Sequence, residues 1–132
     1  MGNKNKERAR GWMIIAALNG FMVVGMGAYG AHGLSGQADY LVDSFNTGVQ
    51  YQMWHGLALM GVAWMVQKTG NLYIRLSGAA FTLGNITFSG TLYVFGMTGD
   101  VPFQGAAPAG GMILMAGWAL LAFGSWRERG RD

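Results

Sequence analysis

Cysteine is absent from this chain of 132 residues, and charged residues are scarce. Without cysteine the chain forms no disulfide, no thiolate metal site and no thiol nucleophile. Charged residues make up 11% of the chain and hydrophobic residues 52%, whereas roughly 25% of the residues in an ordinary soluble domain are charged. A single-domain length with so little charge predicts a membrane protein.

The charged residues leave four long uncharged stretches, at residues 11–38, 44–67, 76–99 and 101–126. Each stretch is longer than the roughly 20 residues that a helix needs to cross a bilayer core. The mean hydropathy is only +0.25, because 23 glycines lower the average without adding polar side chains. We therefore predict an all-α, four-helix transmembrane bundle, with residues 11–126 as the membrane domain.

The basic residues are predicted to lie on one side of this bundle. All nine lysines and arginines come before the first span, between the second and third spans, or after the fourth. The positive-inside rule then places both termini in the cytoplasm, with residues 1–10 and 127–132 as basic tails. A cleaved signal peptide is disfavoured because the first apolar run exceeds the roughly 7–15 residues of a signal-peptide core. The basic balance indicates a lipid bilayer as partner, and no pattern indicates nucleic acid.

Local signals mark the predicted ends of the second and third helices. Residues 68–71 (KTGN) form a turn signal, and residues 99–102 (GDVP) combine glycine with proline, both of which end helices. Asp43 or Ser44 is expected to cap the second helix, since either side-chain oxygen can accept a free backbone N–H.

Polar side chains enter two of the predicted spans. Gln52 and His55 lie on the second span, and the third span carries a polar stripe at spacings of three, four and four residues: Thr82, Asn85, Ser89 and Tyr93. At about 1.5 Å per residue, His55 and Ser89 reach a similar depth in the outer half of the membrane. We therefore predict an outward-facing polar pocket formed by His32, Gln52, His55, Ser89 and Tyr93.

Several interpretations of these polar groups remain open. Intramembrane polar side chains often only hydrogen-bond across helices, and Asn19 is expected to do this rather than to join the pocket. A haem held by His32 and His55 is disfavoured because their depths differ by about two helical turns. A quinone-like molecule remains an alternative ligand. We expect no metal site, no cofactor and no enzymatic activity, because no catalytic motif is present.

Small residues are predicted to pack the helices closely. Gly27 and Gly30 lie in the first span, and Gly110, Gly117 and Gly124 recur every seven residues in the fourth. Glycine lets helix backbones approach each other in lipid. These faces favour a non-catalytic accessory or assembly component that packs against other membrane protein subunits. The alternative is a protein that binds or transports a small lipophilic ligand in the polar pocket.

Five motifs carry a family resemblance: residues 27–33 (GAYGAHG), 45–59 (FNTGVQYQMWHGLAL), 88–93 (FSGTLY), 107–111 (APAGG) and 116–118 (AGW). The chain after residue 10 resembles the small bacterial membrane proteins of domain-of-unknown-function family 423, which are similar to eukaryotic transmembrane protein 256. The resemblance implies a four-helix protein of the bacterial inner membrane and no agreed activity. The family pattern falls on His32, Tyr51, Gln52, His55, Ser89, Gly90 and Tyr93.

Overall fold

The computed structural model describes residues 2–129, which form four α-helices and no strand. The helices are α1 (Gly2–His32), α2 (Asp39–Thr69), α3 (Leu72–Thr98) and α4 (Ala106–Glu128). The predicted all-α, four-helix architecture is confirmed. Residue 1 of the predicted N-terminal tail and residues 130–132 of the C-terminal tail lie outside the described residues. Residues 2–10 continue α1 as helix, and their cytoplasmic location stays a prediction.

Two glycines end the central helices at the predicted turn signals. Gly70, with φ of 63°, follows α2, and Gly99, with φ of 78°, follows α3. Both adopt the left-handed conformation that glycine takes without strain after a helix. Asn71 then begins α3, because its Oδ1 accepts hydrogen bonds from the backbone N–H groups of Tyr73 and Ile74.

The start of α2 differs from the prediction. The helix begins at Asp39, after Ala38, which makes no side-chain capping bond. The predicted cap at Asp43 or Ser44 is therefore wrong, and both residues lie inside the helix. The Ser44 hydroxyl donates to the Tyr40 carbonyl at 2.8 Å. The physical reason is that acidic residues near a helix N-terminus are favoured by its positive dipole end, so they do not mark a break.

Each helix packs mainly on its neighbour in the sequence: α1 on α2, α2 on α3, and α3 on α4. The central pair therefore buries the most, with ten buried residues each in α2 and α3, against four in α1 and five in α4. The outer helices, α1 and α4, expose large apolar side chains. Phe21 of α1 is 83% exposed and Met115 of α4 is 72% exposed.

The outer helices meet the central pair along narrow seams of small residues. The buried residues of α1 recur every seven positions: Ala9, Ala16, Val23 and Gly30. Three of the four glycines of α4 lie against α3 residues that also recur every seven positions, with Gly110 at Phe88, Gly117 at Phe81 and Gly124 at Ile74. A seven-residue repeat keeps one face of each helix turned to its partner.

The glycines of α1 differ in how tightly they pack. A Cβ atom at Gly30 would lie 3.0 Å from the Phe45 ring and from Asn46 Oδ1. A Cβ atom at Gly27 would meet only Val49 Cγ1 at 3.7 Å, which is ordinary van der Waals contact. Gly30 therefore allows a close approach of α1 and α2, whereas Gly27 is less constrained.

Two of the helices in residues 2–129, α1 and α4, are long and apolar enough to cross a membrane. The central helices are of comparable length, at 31 and 27 residues. The buried polar residues of the described chain all lie on these central helices: Gln52, His55, Ser77, Asn85, Ser89 and Thr91. The central helices therefore carry polar side chains that the fold turns inward.

Candidate functional site

Two grooves open between non-consecutive helices. The first, the α1–α3 groove, has apolar walls that include Leu18, Met22 and Ile86 and a polar floor of Asn19, Gln52, Asn85, Ser89 and Tyr93. The second, the α2–α4 groove, is lined by Tyr51, Trp54, His55, Gly111, Leu114, Met115 and Trp118. Each has a volume of about 350 Å³, at the small end of the roughly 300–1,000 Å³ of ligand pockets.

A hydrogen-bonded chain across three helices builds the floor of the α1–α3 groove. Asn19 Nδ2 donates to the Gln52 main-chain carbonyl at 2.9 Å, and Gln52 Nε2 donates back to Asn19 Oδ1 at 3.1 Å. The Tyr93 hydroxyl donates to Gln52 Oε1. Asn85 Nδ2 lies 3.5 Å from Asn19 Oδ1. The chain ties α1, α2 and α3 together, because each residue bonds to a different helix.

Ser89 also joins α3 to α2 in this floor. Its hydroxyl donates to the Gly48 carbonyl at 2.8 Å. A Cβ atom at Gly48 would lie 3.1 Å from the Tyr93 ring and 3.2 Å from Leu92 Cβ. The absence of a side chain at Gly48 therefore lets the two helices come close enough for this bond.

His55 belongs to the α2–α4 groove and has both ring nitrogens paired. Nδ1 lies 2.7 Å from the Tyr51 carbonyl, and Nε2 accepts the indole N–H of Trp118 at 3.0 Å. A carbonyl oxygen only accepts and an indole N–H only donates. The neutral tautomer with its proton on Nδ1 is the one that satisfies both contacts. The imidazole also packs 5.4 Å, centroid to centroid, from the Phe81 ring.

The structure does not bring the five residues of the predicted pocket together. Gln52, Ser89 and Tyr93 come together in the α1–α3 groove, but His55 faces α4 and His32 is exposed at the end of α1. Three residues fall about 60° short of a full helical turn, so Gln52 and His55 face different neighbours. His32 and His55 share neither of these grooves.

Two asparagines belong to the groove although they are not part of the predicted pocket. Asn85 is a member of the polar stripe on the third span, and the whole stripe lines the groove, from Thr82 to Tyr93. The spacing of the stripe is therefore the sequence pattern that could have placed Asn85 in the predicted pocket. Asn19 does link helices as expected, and it also lies in the groove. The sequence around Asn19 does not predict that this residue lines the groove, because no other polar residue recurs on that face of α1.

Apolar outer helices around an inward-turned polar floor define a small helical membrane protein. Residues 26–111 match the family described as "Protein of unknown function (DUF423)". The chain belongs to this family, which confirms the resemblance.

Curated relatives extend the match over most of the chain. The "UPF0382 membrane protein SAB0533" of Staphylococcus aureus (strain bovine RF122 / ET3-1) is 34% identical over 120 residues, covering 90% of this chain and 98% of the relative. The "UPF0382 inner membrane protein YgdD" of Escherichia coli (strain K12) is 35% identical over 120 residues, covering 90% of this chain and 92% of the relative. A "UPF0382 membrane protein" of Haemophilus influenzae (strain ATCC 51907 / DSM 11121 / KW20 / Rd) is 34% identical, covering 89% and 95%. No solved structure matches the chain significantly.

Proposed function

We propose that this protein binds a small lipophilic molecule in the α1–α3 groove, as a non-catalytic membrane component. One observation supports this function: a groove of about 350 Å³ combines apolar walls with an uncharged polar floor. Ligand pockets for small amphiphiles have this composition, with few polar groups that orient the ligand and apolar walls that bury it. Along α3 the groove runs from Thr82 to Tyr93, which is about 16 Å at 1.5 Å per residue.

The test is photolabelling with an alkyl diazirine, followed by mass spectrometry of the labelled peptides. Gly90 lines the groove, and a Cβ atom there would meet no atom within 4 Å. Gly90→Leu should therefore fill the groove without disturbing the helices, and it should lose most of the labelling on the groove residues. Gly61→Leu is the matched control, because Gly61 also has open space around it and lies outside the groove. Equal labelling of both variants would overturn the proposal.

We propose also that all four helices cross the bacterial inner membrane, with both termini cytoplasmic. The one-sided distribution of the nine basic residues supports this topology. The chain has no cysteine, so single-cysteine variants report their own location. Ser35→Cys and Gln104→Cys, in the first and third loops, should react with an impermeant maleimide in cells whose outer membrane has been permeabilised. Thr69→Cys should react only after lysis, and the reverse pattern would refute this orientation.

A second candidate function is an accessory or assembly subunit of a larger membrane complex. A Cβ atom at Gly20 or Gly25 on α1 would meet no atom within 4 Å, so small residues lie on a face that α2 leaves uncovered. Small residues favour helix association in lipid. Purification in mild detergent followed by mass spectrometry should then give a stoichiometric protein partner. A protein that purifies alone, with intact groove labelling, would leave ligand binding as the better account.

A further inference from the structure

A third groove, the α1–α2 groove, lies between the beginning of α1 and the end of α2 and has a volume of about 400 Å³. These two helix ends are close together, since a Cβ atom at Gly70 would lie 2.6 Å from Asn5 Oδ1. On α2 the groove is lined by Ala63, Trp64 and Gln67. On α1 its lining residues recur on one helical face: Lys6, Ala9, Arg10, Met13, Ile14 and Ala17.

One end of the α1–α2 groove is basic. Lys6 and Arg10 line it, and Lys68 Nζ lies 4.1 Å from the centroid of the Trp64 ring, which forms one wall. The three basic side chains are exposed, so a ligand can reach them. None of the lining residues, which all belong to the described part of the chain, is acidic, and Glu7 is not among them. The groove therefore presents cations without a carboxylate of its own to neutralise them.

The rest of the α1–α2 groove is apolar. It lies where α1 carries no charged residue over positions 11–32 and α2 carries none over positions 44–67, which are parts of the predicted spans. Its walls include the exposed side chains of Met13, Ile14 and Trp64. Along α1 the groove extends about 16 Å at about 1.5 Å per residue, which is comparable to half of a bilayer core roughly 30 Å thick. The groove therefore has the length and polarity of one lipid leaflet.

We propose that the α1–α2 groove binds one anionic phospholipid, with the head group at Lys6, Arg10 and Lys68 and an acyl chain along the apolar walls. Basic side chains near a membrane surface attract anionic lipids, and their alkyl stems lie along apolar surface. A zwitterionic lipid has the same phosphate but adds an ammonium group, which the basic end repels. This site goes beyond the ligand proposed for the α1–α3 groove, and the two grooves share no lining residue.

The test compares phosphatidylglycerol with phosphatidylcholine of identical acyl chains, with bound lipid measured by native mass spectrometry of the purified protein in a non-ionic detergent. Wild type should bind its first phosphatidylglycerol roughly five- to thirtyfold more tightly, as expected for one or two cations at an anionic head group. Lys6→Gln/Arg10→Gln should lose most of this preference. Lys4→Gln/Arg8→Gln is the matched control, because it removes the same charge from the same helix at residues that do not line the groove. The control should retain the wild-type preference.

Three results would overturn the proposal. Equal binding of the two lipids by wild type would show that the groove does not recognise an anionic head group. Equal losses in the two double variants would show a general attraction to the basic end of α1. Full competition by glycerol phosphate, which has no acyl chain, would assign the basic end to a free phosphate.

Two controls keep these outcomes clear. Circular dichroism of both double variants should match wild type, because all four replaced side chains are exposed. Diazirine labelling of the α1–α3 groove should be unchanged in Lys6→Gln/Arg10→Gln, since none of its lining residues is altered. A failure of lipid binding with intact labelling would therefore overturn this proposal and leave the proposed function standing.

Discussion

Replacing Gly110 with alanine is expected to force α3 and α4 apart. A Cβ atom at this position would lie 2.5 Å from the backbone nitrogen of Phe88 and 2.8 Å from its Cα. Ordinary van der Waals contact begins at 3.4 Å, so the shortest of these contacts must lengthen by about 0.9 Å. The atoms involved are backbone, and a side-chain rotation cannot relieve the clash. One helix must therefore shift along much of a tightly packed seam.

The neighbouring glycine supplies a matched control for the magnitude. A Cβ atom at Gly111 would lie 3.8 Å from the Phe88 ring, which is ordinary contact. Glycine to alanine favours a helix interior by about 0.5–1 kcal/mol at either position, so this contribution cancels between the variants. The remaining difference is the overpacking cost, about 1–3 kcal/mol. Gly110→Ala should be less stable than Gly111→Ala by that amount.

The assay is reversible unfolding in mixed micelles, with the five tryptophans as a fluorescence signal and circular dichroism as a second probe. Both variants are measured beside wild type in the same detergent and lipid, since helix association in membranes depends on packing rather than on water exclusion. Equal free energies of unfolding for Gly110→Ala and Gly111→Ala would refute the close backbone approach of α3 and α4.

Three further predictions use the same unfolding assay. Trp118→Phe removes the donor to His55 Nε2 and should lower stability by about 0.6 kcal/mol, and by no more than about 2; no change would show that the pair is not formed. Gly56→Ala places a Cβ against Asn19 Nδ2 and should destabilise by about 1–3 kcal/mol, whereas Gly61→Ala, in open space, should not. Asn71→Ala removes the cap of α3, at a cost of about 0.5–2 kcal/mol, together with the amide bonds to Gly124 and Glu128. Asn71→Ser also lacks the amide donor but keeps a capping oxygen, so it should recover the capping contribution; equal losses in the two variants would contradict a capping role.

The helices and their glycine turns are predictable from local sequence. Length, glycine and proline determine where a helix can end, and Gly70 and Gly99 act at those places regardless of tertiary contacts. The start of α2 is mispredicted because a charged residue does not by itself mark a helix boundary. Asp39 and Asp43 lie in the first turns of α2, where the helix dipole accommodates carboxylates.

Which polar groups share a groove is predictable only in part. Spacing along one helix places Ser89 and Tyr93 on a common face, and both line the α1–α3 groove. Spacing does not determine how a helix is rotated against its neighbours. The glycines at positions 48 and 56 set that rotation for α2, because α3 and α1 approach there. Counting residues along each helix can therefore predict that His55 and Ser89 lie at a similar depth, but it cannot predict which side of α2 faces α3.

The pairing of His55 changes which residue a binding experiment should perturb. A histidine in an apolar span is the residue that sequence reasoning selects first, yet both of its ring nitrogens are satisfied by Tyr51 and Trp118. Removing it would leave the Trp118 indole N–H without its acceptor and would measure packing between α2 and α4. Asn85 differs because its Oδ1 has no partner to lose. A substitution at Asn85 therefore perturbs the α1–α3 groove without leaving a donor unpaired, whereas a substitution at His55 leaves the Trp118 indole N–H without its acceptor.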